Sequence, residues 1–165
     1  MHTPSPGRAL GGVGSRLMLS LLRSPLARLV HLNASLLSLT VTGRQTGRRF
    51  TLVVQYVEHE GSILVLAGHA GQKRWWRNLV EPARVEYRLD GRQRVGTARV
   101  VREPDAWTAG AVAAYVRRYP ATARTRGLSP QTQVTPALVP QLTAGAELVR
   151  IDPDPAAGAA QTSAA

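Results

Sequence analysis

The chain has 165 residues, 44% of them apolar, which suits one domain with a buried core. It contains no cysteine, and this excludes disulfides, thiolate metal sites and thiol nucleophiles. The formal net charge is +11, and Lys73 is the single lysine among 21 basic residues, so the composition favours an anionic partner: a phosphorylated cofactor, nucleic acid or an anionic membrane.

The two ends of the sequence differ from its middle. Residues 1–14 are rich in proline and glycine and are predicted to form a flexible arm, and residues 152–165 are predicted to form a disordered tail. Residues 15–151 are predicted to form one domain that begins with an amphipathic helix over 15–33, bent at Pro25. This helix either packs on the core or lies on an anionic membrane.

The sequence carries no secretion signal and no apolar run of the about 20 residues that would span a bilayer. The protein is therefore expected in the cytoplasm, and any contact that it makes with a membrane is expected to be peripheral, through residues 15–33.

Six short runs with high strand propensity follow in chain order. The second and third runs meet at a turn over 59–61, and the fourth and fifth flank Asp90-Gly91, a dipeptide typical of two-residue hairpins. Two predicted helices, over 73–80 and 105–119, interrupt the strands. The fold class is therefore mainly β (α+β): about six antiparallel strands closed into a barrel, with the N-terminal helix and two short peripheral helices. The predicted strands are 36–42, 50–58, 62–67, 84–89, 93–101 and 147–151.

The turn between the first two predicted strands is the first candidate site. Its two glycines, four residues apart, permit a tight turn whose backbone N–H groups can converge on an anion. Three arginines and two threonines add positive charge and hydroxyl donors. The loop can hold a phosphate, or it can be an ordinary basic hairpin loop, and the residues alone leave both interpretations open. Its members are Thr42, Gly43, Arg44, Gln45, Thr46, Gly47, Arg48 and Arg49.

The second candidate is the segment KRWWRNL at 73–79, which holds adjacent tryptophans in a chain with only 5% aromatic residues. On a helix the two rings point about 100° apart, so one is expected to pack inward. The other ring, or Arg74 and Arg77 beside it, would then border a ligand. The alternative is that both tryptophans anchor a helix to the barrel.

Other chemistry-bearing residues give weaker signals. The four histidines show no spacing typical of metal ligands, so no metal site is expected. Tyr115 and Tyr119 lie four residues apart on a predicted helix and can face one side together, a pattern that more often reflects packing.

The order of the two candidate segments, with the strands around them, resembles the deazaflavin (F420)-dependent nitroreductase family of split β-barrel flavin and deazaflavin oxidoreductases. The similarity covers about residues 26–151 and includes the stretches LTVTGRQTGRRFTLVVQYV, ILVLAG and WWRNL. The residues that match the family's motifs are Thr42, Gly43, Arg44, Thr46, Gly47, Trp75, Asn78 and Leu79.

The resemblance implies an oxidoreductase that passes hydride from reduced F420 to a quinone-like or other conjugated small-molecule acceptor. It implies that the 42–49 loop holds the cofactor's phosphate and acidic tail, and that the 67–79 segment wraps the phosphate and the ring edge. Tyr119 is the implied catalytic residue, orienting or protonating the acceptor. The implied cofactor-binding residues outside the loop are Ala67, Gly68, Lys73, Arg74, Trp75 and Asn78.

Three alternatives stay open at this point. Flavin mononucleotide (FMN) is the alternative cofactor, and related barrels are often homodimers. A second function is a non-catalytic binding protein for a flavin, haem or lipid on the same barrel. A third is nucleic-acid binding, suggested by charge alone; because the sequence has no zinc-finger spacing and no RNA-binding aromatic signature, no nucleic acid is expected as a partner.

Overall fold

The computed structural model describes residues 36–125, 127–129 and 131–155. The predicted arm over 1–14, the predicted helix over 15–33 and most of the predicted tail lie outside these residues. The strands are β1 Leu36–Thr42, β2 Arg49–His59, β3 Ser62–Gly68, β4 Ala83–Leu89, β5 Arg92–Val100 and β6 Ala146–Pro153. The helices are a 3₁₀ helix Trp75–Leu79, α1 Ala106–Arg118, α2 Pro120–Arg124 and α3 Val139–Leu142.

The six strands form a closed barrel in the order β1-β2-β3-β6-β5-β4. All six neighbouring pairs are antiparallel, and β1 closes the barrel against β4. The predicted fold class is thereby confirmed. The largest difference in strand bounds is at β6, which runs through Pro153, so its last two residues belong to the sheet and not to the predicted tail.

Two hairpin turns have the geometry that their sequences predict. Glu60 and Gly61 have φ of 46° and 76°, and Asp90 and Gly91 have φ of 49° and 75°. Two successive positive φ angles define a type I′ turn, whose twist matches that of the flanking strands. Each turn therefore fixes the register of its hairpin locally.

Side chains alternate across the barrel wall and so make two separate cores. On β1, for example, Leu37, Leu39 and Val41 are buried inside the barrel, while the residues between them face outward. A second apolar cluster lies outside the wall, where α1 and the short helices pack on outward-facing residues such as Val57, Leu64 and Leu148.

Helix α1 begins at a well-formed N-terminal cap. Asp105 accepts a hydrogen bond from the Thr108 backbone N–H at 2.8 Å, and the Thr108 hydroxyl oxygen accepts from the Asp105 N–H at 3.4 Å. At Gly110 the helix comes so close to β2 that an added Cβ would lie 2.4 Å from His59 Nε2. Small residues therefore let α1 pack tightly on the barrel. Among the described residues, no helix has the length and apolar character needed to cross a membrane.

Candidate functional site

A cavity of about 640 Å³ lies between strands β1 to β3, helix α1 and the segment before the 3₁₀ helix. Four of the residues predicted to bind cofactor line it: Ala67, Gly68, Lys73 and Trp75. The other described lining residues were not predicted to bind cofactor, and they come from β1 to β3, from α1 and from later turns: Leu36, Val53, Val54, Gln55, Leu66, His69, Tyr115, Thr125, Ala144 and Gly145.

The segment between β3 and the 3₁₀ helix forms one wall of the cavity and is fixed by backbone bonds. The His69 carbonyl accepts from the Gln72 and Lys73 N–H groups at 2.9 and 3.0 Å. The Ala70 N–H donates to the Gly145 carbonyl at 3.1 Å, which ties this wall to the turn before β6. His69 itself has φ of 56°, a left-handed conformation that histidine adopts more readily than most residues.

The two adjacent tryptophans both anchor the 3₁₀ helix, and one of them also borders the cavity. Both are half-buried and pack against the core inside the barrel, so Trp76 and Trp75 anchor the 3₁₀ helix together. Trp75 also lines the cavity. The Trp76 indole N–H donates to the Ala70 carbonyl at 3.1 Å, and the Arg77 guanidinium lies 5.5 Å from the centre of its ring. Of the two interpretations that the sequence left open, the packing agrees with the one in which both tryptophans anchor the helix to the barrel.

Asn78 connects the first candidate segment to the second. Its Oδ1 accepts from the Arg44 backbone N–H at 3.0 Å, and its Nδ2 donates to the Trp75 carbonyl at 3.0 Å. Neither Asn78 nor the 42–49 loop lines the cavity. The side chain instead holds the loop against the helix whose first residue, Trp75, does line it.

Four backbone N–H groups of the 42–49 loop, those of Gly43, Arg44, Gly47 and Arg48, donate to acceptors within the protein. The Gly43 and Gly47 N–H groups donate to the carbonyls of Arg48 and Gly43, both at 2.8 Å. The Arg48 N–H donates to Thr46 Oγ1 at 3.3 Å, and the Arg44 N–H donates to Asn78 Oδ1. Gly47 has φ of +65°, so this glycine serves the turn itself. These four N–H groups are therefore already occupied and do not point at an anion.

Five exposed cations surround this loop and the 3₁₀ helix, and we call them the basic rim. Among the residues that the structure describes, none of the five has a carboxylate within 4 Å. The rim consists of Arg44, Arg48, Lys73, Arg74 and Arg77. Arg49 differs from them, because its guanidinium lies 2.6 Å from the Glu86 carboxylate. Unpaired guanidinium groups can grip a phosphate or carboxylate in a bidentate way. The rim is thus chemically suited to a multiply charged anion.

The predicted catalytic residue, Tyr119, is buried behind the cavity. Its hydroxyl donates to the Tyr56 carbonyl at 2.7 Å, and burial raises the pKa of Tyr119 above its ordinary value. Its ring centre lies 4.6 Å from that of Tyr115. Of the two tyrosines, Tyr115 lines the cavity and Tyr119 does not.

Gln55 and Tyr115 form a polar pair at the cavity that the sequence did not predict, although it drew attention to Tyr115 through the tyrosine spacing. The Tyr115 hydroxyl donates to Gln55 Oε1 at 2.9 Å across the gap between α1 and β2. The four-residue spacing of the tyrosines was a usable signal for a shared face. Nothing in the sequence pointed to Gln55, which sits within an ordinary strand pattern.

Comparisons with known proteins agree with this fold. Residues 20–134 match the model of a family described as F420H(2)-dependent quinone reductase. No curated protein resembles the sequence closely enough to count as a match.

Several solved structures are similar in fold at low sequence identity. An F420-H2 dependent reductase (FDR-A) has 16% identity and a TM-score of 0.50, over 71% of this chain and 93% of its own. A chain described as a domain-swapped dimer has 15% identity and a TM-score of 0.54, over 82% and 93%. The protein Atu2129 of unknown function, from Agrobacterium tumefaciens, has 18% identity and a TM-score of 0.52, over 92% and 60%.

Proposed function

Because the chain belongs to the F420H(2)-dependent quinone reductase family, we propose that it passes hydride from reduced F420 to a quinone-like or other conjugated acceptor held in the cavity. Family membership makes the protein an oxidoreductase with F420 as its cofactor and a small molecule as its substrate. The observation that carries the rest of the proposal is the position of the basic rim, which lies around the segment that also forms a cavity wall.

The residues present fit a cofactor with a phosphate and an acidic tail. The rim offers guanidinium and ammonium groups that have no carboxylate partner among the described residues, so binding an anion there breaks no existing ion pair. The cavity beside it has apolar lining from Val53, Val54 and Leu66 that suits a flat conjugated ring. When bound, reduced F420 supplies the hydride chemistry.

The chain's own residues would bind and orient the reactants. We propose that Arg44, Arg48 and Arg74 hold the anionic part of the cofactor, with Lys73 at the mouth of the cavity. The remaining loop residues, namely Thr42, Gly43, Gln45, Thr46, Gly47 and Arg49, would shape the loop that presents these cations. Ala67, Gly68 and Trp75 would form the wall against the ring, and Asn78 would keep loop and wall in register.

Tyr119 has a different part in this proposal from the one that the sequence predicted. Its direct contact with the acceptor stays a prediction. The bond from its hydroxyl to the Tyr56 carbonyl and its ring contact with Tyr115 support a positioning role, in which Tyr119 holds Tyr115 at the cavity wall.

The extent of the domain over 15–151, a homodimer, and contact of residues 15–33 with a membrane also stay predictions. Limited proteolysis of the full chain tests the extent of the domain, sedimentation tests the homodimer, and flotation with anionic vesicles tests the membrane contact. None of them is needed for the cofactor site proposed above.

Titration of the protein with F420, and in parallel with FMN, tests the proposal through tryptophan fluorescence. Trp75 lines the cavity, so its emission should fall as the site fills. The Arg44→Ala variant should bind F420 more weakly by about 1.5–3 kcal/mol, since it removes a charged hydrogen bond. Unchanged affinity would remove Arg44 from the site, and tighter binding of FMN than of F420 would favour a flavin-binding protein instead.

Arg84→Ala is the matched control for the charge. Arg84 lies on β4, where its guanidinium is 2.9 Å from the Asp154 carboxylate, so the variant also loses one positive charge but none from the rim. Its affinity for F420 should stay within about twofold of the wild type at physiological salt, because distant surface charges are largely screened. Equal weakening by both variants would show that net charge, and not the rim, governs binding.

A further inference from the structure

Among the described residues that line the cavity, Gln55 and Tyr115 form a shielded polar pair. Within the same set, the side chains of His69, Lys73 and Thr125 are exposed. Gln55 is half-buried, and Tyr115 is only 5% exposed. A hydrogen bond made in a shielded place discriminates between ligands more strongly than one made in water.

The Gln55 carboxamide is bonded to helix α1 through its oxygen. Its Oε1 accepts the Tyr115 hydroxyl at 2.9 Å. The Tyr115 ring is in turn supported by Tyr119, whose hydroxyl is bonded to the backbone of Tyr56, the residue next to Gln55. The Gln55 side chain, which belongs to β2, is therefore bonded to Tyr115 of α1, and Tyr115 is itself supported by a residue that is bonded to β2.

This arrangement leaves the donor half of the amide unused. Among the described residues, no acceptor takes a hydrogen bond from Gln55 Nε2. An N–H donor that lies on a cavity wall beside Val53 and Val54 is suited to an oxygen atom on an otherwise apolar ring.

We propose that Gln55 is the specificity-determining residue for the acceptor, and that its Nε2 binds a carbonyl oxygen of a quinone-type molecule. The inference rests on the proposed function and deepens it by naming the group that recognises the substrate. During reduction the acceptor gains a hydride, its oxygen gains negative charge and then a proton from solvent, and the cofactor is oxidised by two electrons. An N–H group directed at that oxygen stabilises the charge as it develops.

The test compares two acceptors that differ in the group Gln55 would recognise. A naphthoquinone has carbonyl oxygens, whereas N-methylphenazinium accepts hydride without having any. In the Gln55→Met variant, which keeps the size of the side chain but not its donor, the ratio of kcat/KM for naphthoquinone to that for N-methylphenazinium should fall about tenfold. Gln55→Glu keeps an oxygen for the Tyr115 hydroxyl but loses the donor, so it should lower the ratio at least as much.

A second readout does not depend on turnover. The Kd of naphthoquinone for the protein loaded with oxidised F420, measured by calorimetry, should rise by about the same factor in both variants. Val53→Ala is the matched control: it removes apolar surface from the same strand and should weaken both acceptors in parallel, with the ratio unchanged.

The outcomes separate this inference from the function on which it rests. A wild-type protein that binds F420 but reduces neither acceptor would overturn the proposed function and the inference with it. A wild-type protein that reduces both, with an unchanged ratio and unchanged naphthoquinone Kd in the Gln55 variants, would overturn the inference alone. A parallel loss with both acceptors would also overturn it, since it would indicate a structural role.

Discussion

Two arginine-rich regions of this barrel use their charge in opposite ways. On the outer face of β3, β6 and β5, Asp152 accepts hydrogen bonds from Ser62 at 2.7 Å, from Arg99 at 2.8 Å and from Arg150 at 2.6 Å. We call these four residues the paired seam. The basic rim has no such carboxylate among the described residues. The same residue type therefore fastens strands in one region and stays available to a ligand in the other.

The electrostatics of the seam explain why it is structural. Burial by itself raises the pKa of the Asp152 carboxyl, but hydrogen bonds from Ser62 and Arg150 and the nearby guanidinium charges outweigh it, so the pKa lies below its ordinary value. The Arg150 guanidinium also lies 4.1 Å from the centre of the Trp107 ring on α1. The seam thus connects three strands and the main helix.

The largest expected effect comes from separating the two strands at the seam. Gly96 on β5 lies against β6 so closely that an added Cβ would be 2.5 Å from the Asp152 carbonyl and 3.1 Å from Pro153 Cα. Because both contacts are backbone, the strands must move apart, and Gly96→Ala should lower the free energy of unfolding by about 3 kcal/mol. Urea denaturation measures this directly.

Gly71→Ala provides the comparison for that substitution. Gly71 lies in the segment before the 3₁₀ helix, and an added Cβ there would meet no atom within 4 Å. The free energy of unfolding of the Gly71→Ala variant should be unchanged or higher by about 0.5 kcal/mol, because alanine restricts the unfolded chain. Equal destabilisation by both alanines would mean that the close approach at Gly96 does not limit stability.

The next effect tests the charge of the seam. Asp152→Asn keeps the shape of the side chain but leaves Arg99 and Arg150 without their carboxylate, so unfolding should become easier by about 2 kcal/mol. Asp154→Asn is the control, because Asp154 pairs with Arg84, whose side chain is 70% exposed, and with no other basic side chain of the residues that the structure describes. That surface pair should contribute less than about 1 kcal/mol.

The contribution of Asp152 to stability should depend on pH. A carboxyl whose pKa is lowered by folding stabilises the protein above its unfolded pKa, about 3.9, and loses that contribution as the pH falls toward the folded pKa. The stability difference between wild type and Asp152→Asn should therefore be full at pH 6 and smaller at pH 3. A difference that stays constant between these two values would show that the carboxylate charge does not contribute.

The smallest effect on stability should come from the rim. Arg48→Ala removes an exposed cation that has no carboxylate within 4 Å among the described residues, so the free energy of unfolding should change by no more than about 0.5 kcal/mol. Binding of F420 should nevertheless weaken about tenfold. A large loss of stability in this variant would place Arg48 in the structure rather than at a ligand, and would erase the contrast with the seam.

The sequence predicted the sheet well because the signals for its strands are local. Alternating apolar residues and the Asp90-Gly91 dipeptide determine strands and hairpins within a few residues, and the strand bounds agree to within two residues. Helices α2 and α3 were not predicted. Each has five residues or fewer and a proline in its first turn. Helices this short are stabilised by packing on the barrel rather than by intrinsic helix propensity.

The candidate site was predictable only in part. Residues close together in sequence, such as Gly68, Lys73 and Trp75, were found through their resemblance to a motif. Gln55 and Tyr115 are 60 residues apart and meet only because α1 packs across β2. The Arg44 N–H donates to Asn78, 34 residues later, and the sequence of the loop does not reveal this bond.

The position of β6 between β3 and β5 has a consequence for how the chain folds. The hairpins β2–β3 and β4–β5 form from neighbouring residues, but β6 must pair with residues about 80 positions earlier on one side and about 50 on the other. Until it arrives, β3 and β5 each present an unpaired edge. Closure of the barrel is therefore expected to be the slow step of folding, since long-range pairing incurs the largest loop-closure entropy. Before closure, the gap between β3 and β5 can pair with β6 of another copy of the chain. Conditions that delay closure at high protein concentration should therefore produce dimers that have exchanged β6.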